Sequence, residues 1–170
     1  MRAQGGMVLL VSLVMMLLLA LLAMSALQGA TLQARMAGNL GAALQAFESA
    51  EATLREGEAQ VLAGHVPSLP CTYCLPPPEA ARVRAAGVHA DAAASSGLVW
   101  QAYARGLYLI QPLGESSRAT GLPDGLPVQL FRITAVGWRQ QARVVLESVH
   151  AQPLAPGKQA PRRIAWRQIL

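Results

Sequence analysis

The sequence predicts an α+β protein, in which one long N-terminal helix packs on an antiparallel β-sheet. Three observations carry this. Met7 to Leu27 is apolar on every side, with only Ser12 and Ser25 as polar members. No proline interrupts Thr31 to Leu62, where apolar residues recur at helical spacing. Beyond Leu98, short runs alternate apolar and polar residues and are separated by turns, which is the pattern of antiparallel strands.

The chain has 170 residues, enough for one ordinary domain. Apolar residues make up 53% and charged residues 14%, against about 25% charged in soluble proteins. That balance excludes a disordered chain and implies contact with a membrane. Aromatic residues are 5%, too few for a nucleic-acid stacking platform. The net charge of +5 comes from arginines spread singly among apolar residues, without a nucleic-acid reading motif, so no nucleic-acid partner is expected.

The Met7–Leu27 run spans roughly 31 Å as a helix, about the thickness of a bilayer's hydrocarbon core. Arg2 is the one charged side chain before Arg35, which favours a cytoplasmic N-terminus. A cleaved signal peptide has a shorter apolar core than this run, and the residues after Ala26 continue as helix. In the next stretch Leu40, Phe47, Leu54 and Val61 recur every seventh residue, with Met36, Ala43, Ala50 and Gly57 on the same stripe. Such a narrow, alanine-rich stripe suits close packing on a flat partner. Gly29, Gly38 and Gly41 are candidate bends, since each weakens a helix by about 1 kcal/mol relative to alanine.

Five prolines make Gly64–Pro78 a loop, and Glu79–Ala94 is alanine-rich enough for a short helix. Leu98–Tyr103 and Leu107–Gln111 flank Ala104-Arg105-Gly106 as a hairpin or a bent pair. Val128–Val136 is a strand, Gly137–Gln140 a turn, and Arg143–His150 the next strand. Ala151–Pro161 reads as a loop and Arg163–Ile169 as the last strand. The helix then covers the sheet's apolar face, and the arginines take its solvent face.

Little of the chain suggests chemistry. Cys71 and Cys74 are the two cysteines, and His65, His89 and His150 are scattered, so no metal-ligand set is completed. The proline-bounded CxxC does not open a helix, as a thioredoxin-like redox motif requires. In an exported domain a local disulfide is the expected state, with two free thiols as the alternative. Glu56 and Glu58 point in nearly opposite directions on a helix and read as solvated charges. Neither a nucleophile–base constellation nor a phosphate loop is legible, so no enzyme activity and no cofactor is expected.

Two segments of the long helix resemble a known family. Leu32-Gln33-Ala34-Arg35-Met36-Ala37-Gly38-Asn39-Leu40 is closely similar to the "ERMAGN" stretch of the PilX minor pilins of type IV pili, and Ala46-Phe47-Glu48-Ser49-Ala50-Glu51-Ala52-Thr53-Leu54-Arg55 resembles the "AFQAAEAALR" that follows it. Gly5-Gly6 before the apolar run looks like a type III prepilin leader. Phe131–Thr134, Val145–Val149 and Ala165–Arg167 resemble the family's strands more loosely. The resemblance implies the type IV pilin fold, with residues 1–6 a leader, 7–30 a transmembrane and assembly helix, 31–62 its amphipathic continuation, and 63–170 a periplasmic or extracellular head.

It also implies cleavage between Gly6 and Met7, with methylation of Met7. The function implied is a minor pilin at or near the pilus tip that primes assembly and supports twitching motility, adhesion or DNA uptake. Its partners would be other minor pilins, the major pilin, a tip adhesin, the prepilin peptidase and the inner membrane. Counting from Met7, the fifth residue is Val11, where major pilins carry a glutamate. Val11 and Leu17 are then residues of the assembly helix. A tip pseudopilin of a type II secretion system shares these features, and a generic single-span envelope protein is the remaining alternative.

Overall fold

The computed structural model describes residues 5–67, 71, 73–89, 94–155 and 160–170. The chain divides into two compact units, one ending at Gly41 and the other running Ala42–Leu170. Helix α1, Gly5–Leu62, supplies most of the first unit and the opening of the second. It continues through Gly29, Gly38 and Gly41, so none of the three ends it, although the unit boundary falls at the last.

Within the second unit, six antiparallel strands form one sheet in sequence order: β1 Gly87–Val88, β2 Val99–Tyr103, β3 Gly106–Ser116, β4 Val128–Arg139, β5 Ala142–Pro153 and β6 Arg162–Gln168. The expected helix over Glu79–Ala94 is instead a short 3-10 turn, Pro78–Ala81, followed by the edge strand β1. Pro76 to Pro78 deny the first turn its backbone donors, and Glu79 is drawn inward rather than left on a solvated helical face.

The expected Gly137–Gln140 turn is also corrected. Gly137 to Arg139 remain in β4, and the chain reverses at Gln140-Gln141. Gly137 is there for proximity: a Cβ at this position would strike the backbone of Ala46 and Ala50. Both β4 and β5 run longer than their alternation suggests, and β5 takes in Ala151–Pro153 from the expected loop.

One face of the sheet meets α1. Ala46, Ala50, Leu54 and Val61 pack against Tyr108, Ile110, Phe131, Ile133, Ala135, Val144 and Leu146. The buried stripe starts at Ala46; Met36 and Leu40 are 60% and 62% exposed, against the heptad reading. Met36 and Leu40 belong to the first unit, whereas the packed residues Ala46, Ala50, Leu54 and Val61 all belong to the second and share one helical face.

The other face has its own core, where Trp100, Leu107, Leu109, Val136 and Val145 lie under Ala80 and Val83. It is therefore not a plain solvent face for arginines. Arg143 reaches beneath this cover, donating from Nη1 to the carbonyls of Ala80 at 3.2 Å and Val83 at 2.9 Å.

Candidate functional site: the apolar helix and the anchored head

The first unit carries the largest unsolved physical problem. From Met7 to Leu27 every large apolar side chain is exposed, including Val11 at 53% and Leu17 at 59%. This helix is long and apolar enough to cross a membrane. Ser12 donates its hydroxyl hydrogen to the Leu9 carbonyl at 2.8 Å, and Thr31 donates to Gln28 at 2.8 Å. Those side chains thus satisfy themselves on their own helix, as an apolar surrounding demands. A Cβ at Gly6, Gly29, Gly38 or Gly41 would meet nothing within 4 Å, so these glycines serve no packing inside the chain. Gly6 and Met7 sit in the first turns of α1; most of the expected leader, residues 1–4, lies outside the described residues.

In the second unit, polar side chains act as anchors. Glu58, expected to be solvated, is buried where α1 faces β5 and β6. Its Oε2 accepts from Arg163 Nη2 at 2.7 Å, and its Oε1 lies 3.3 Å from His150 Nε2. Burial pushes the carboxyl's pKa up; hydrogen bonds from His150, Arg163 and Ser148, and the charge of Arg163, outweigh it and bring it down to about 2. Ser148, His150 and Glu58 share this face, but Ser148 is fully buried, so no substrate could reach its hydroxyl.

On the opposite face Glu147 is 4% exposed and binds two arginines, Arg167 at 2.8 Å and Arg132 at 3.3 Å. Glu79 is buried and accepts from the Ser96 amide at 3.0 Å, the Ser96 hydroxyl, and the Trp100 indole at 3.2 Å. Burial raises its pKa, and these donors turn the net shift downward.

Cys71 and Cys74 are joined by a disulfide, with Cα atoms 5.4 Å apart. The bridged loop is also held from the sheet. Gln111 Nε2 donates to Tyr73 O at 2.6 Å and Leu75 O at 3.0 Å, and Arg132 Nη1 donates to Cys74 O at 2.6 Å. The partners of Glu58, Glu79 and Glu147 were not legible in sequence, because each is met only once the sheet has formed. The one local signal was Gln111, a fully buried amide ending the apolar run Leu107–Ile110. Among the described residues, no group of three or more acidic, histidine or cysteine side chains could hold a metal ion.

Residues 5–55 match the family model described as PilX N-terminal. No curated protein and no solved structure matches the chain. The matched segment contains the entire exposed apolar run and the first three turns of buried contact with the sheet. Pilins are structural subunits that assemble with other pilus components, and an apolar N-terminal helix fits membrane anchoring. Over its first third the chain is thus similar to the N-terminal segment of PilX pilins, and a long apolar N-terminal helix with a six-stranded antiparallel sheet is consistent with the type IV pilin fold.

Proposed function

We propose that the chain is a minor pilin that primes assembly of a type IV pilus and sits at or near its tip, supporting twitching motility, adhesion or DNA uptake. The observation that carries this reading is the uncovered helix from Met7 to Leu27, within the segment matched to PilX pilins. Before assembly the helix anchors the chain in the inner membrane, with its N-terminus in the cytoplasm. The prepilin peptidase removes Met1–Gly6 and leaves Met7 for methylation.

Val11 supports a capping or initiating place. A carboxylate in a bilayer costs roughly 2.5–3.5 kcal/mol and needs a partner there. With valine at this position the subunit makes no such pairing with the terminal amine of a neighbour. Other minor pilins, the major pilin and a tip adhesin are then its partners.

The N-terminal sequence of the mature protein tests the processing step. A start at Met7 supports it; a start after Ala26 identifies a signal peptide and rejects it. Deleting the gene separates the two filament systems. Loss of surface pili supports the pilus reading, whereas normal piliation with failed protein secretion assigns the chain to a type II secretion pseudopilus.

A further inference from the structure

At one end of the second unit, two hairpin turns lie beside the helix. Gln45, Glu48 and Ser49 on α1 and Arg105, Trp138 and Arg139 on the turns line an open cleft of about 350 Å³. From these residues we infer that the cleft receives a carboxylate side chain presented by an adjoining pilus subunit. The inference rests on the pilus reading above and adds a place and a chemistry of contact to it.

The two arginines are available. Arg55, Arg132, Arg163 and Arg167 each pair with a carboxylate of this chain. Arg105 and Arg139 are exposed and make no ion pair among the described residues. Guanidinium groups hold carboxylates through two parallel hydrogen bonds, with more directional specificity than lysine offers.

The turns that carry them are fixed in place. Ser49 Oγ donates to the Arg105 carbonyl at 3.0 Å and ties the first turn to the helix. Gly106 and Gly137 lie so close to α1 that a Cβ on either would strike Thr53 or the backbone of Ala46 and Ala50.

Both turns also retain a backbone form that glycine would adopt more readily. Ala104 at φ 50° and Gln140 at φ 53° are the two non-glycine residues with positive φ among the described residues. Each adjoins one of the two arginines in sequence. Strain of this kind costs on the order of 1–3 kcal/mol per residue and gathers at binding sites.

The form of the cleft selects the occupant. Small-molecule sites enclose most of their ligand. This one is open, and suits a side chain reaching in from another protein surface. Glu48 also lines the cleft and disfavours a ligand of high negative charge.

The test uses the full chain in its own cells, with a photo-crosslinking amino acid in place of Gln45. Blotting sheared pili for the chain comes first; its absence from pili would reject the pilus reading itself. With the chain in pili, we expect a crosslink that maps to an Asp- or Glu-bearing segment of another pilus subunit. Arg105→Glu with Arg139→Glu should lower its yield about tenfold, the equivalent of about 1.4 kcal/mol. Arg118→Glu, on an exposed loop elsewhere, should leave it unchanged. Replacing the mapped carboxylate by arginine should restore the crosslink to the reversed pair, which a merely unfolded variant could not do. A crosslink to phospholipid, no crosslink, indifference to charge reversal, or failure of the rescue would each overturn the inference.

Discussion

Glu58 illustrates how a charged residue persists on a core-facing helix surface. Its carboxylate sits within reach of Arg163 and His150, so it stays ionised despite burial. Its folded pKa of about 2 lies below the ordinary value of 4.5, so its stabilisation is complete above about pH 4.5 and is lost as pH falls towards 2. The shift corresponds to a few kcal/mol; Arg163 is partly exposed, so about 2 kcal/mol is the better figure. Thermal melts of wild type and Glu58→Gln from pH 7 to 2 should start well apart and converge on acidification. A constant gap across that range would show that the charge of Glu58 does not stabilise the head. None of this was legible locally, because Arg163 lies 105 residues away in sequence. Spacing around Glu56 and Glu58 reported only helix geometry, which is why both read as solvated.

At the scale of elements, the sequence pattern announced the long helix and most strands, while the contacts between elements set their limits. Gly137 is the instructive case. A glycine followed by Trp138-Arg139-Gln140 resembles a turn, yet the lack of a side chain serves the approach of β4 to α1. Gly137→Ala should therefore push helix from sheet and cost about 1–3 kcal/mol, as overpacking does. Gly57→Ala should cost somewhat less, since its Cβ would strike buried side chains rather than backbone, Ile133 Cγ2 at 2.6 Å and the Tyr108 ring at 3.1 Å. Equal melting temperatures for Gly137→Ala and wild type would reject the close-approach reading.

The loop from Cys71 to Cys74 is a second case of shared restraint. Its disulfide closes so few residues that chain entropy gives it about 2 kcal/mol. Gln111 and Arg132 hold the same loop independently. Cys71→Ser with Cys74→Ser should thus leave a folded head with a modestly lower melting temperature. Alkylation of native protein without reductant should label neither cysteine of the wild type; two labelled thiols in freshly exported protein would contradict the bridge.

At the scale of the whole molecule, the two parts of α1 differ in what covers them. Ala46, Ala50, Leu54 and Val61 are buried on their own sheet, whereas the run from Met7 to Leu27 buries none of its large side chains. Covering one leucine-sized side chain is worth roughly 1.5–3 kcal/mol, so a run of this length strongly disfavours water. Lipid can cover it before assembly, and the equivalent helices of neighbouring subunits can do so inside a filament. A chain starting near Gln33 should accordingly be soluble and folded, with the circular dichroism of a mixed helix-and-sheet protein and a cooperative melt, yet unable to enter pili. Leu17→Asp should do the reverse. It leaves every contact of the head untouched, since Leu17 is exposed and lies in the first unit, but places a charge where lipid or neighbouring helices must close. Piliation and membrane fractionation of a strain carrying that variant read the outcome. An unfolded truncated chain would refute the independence of the head, and wild-type piliation with Leu17→Asp would refute the assembly role of the apolar run.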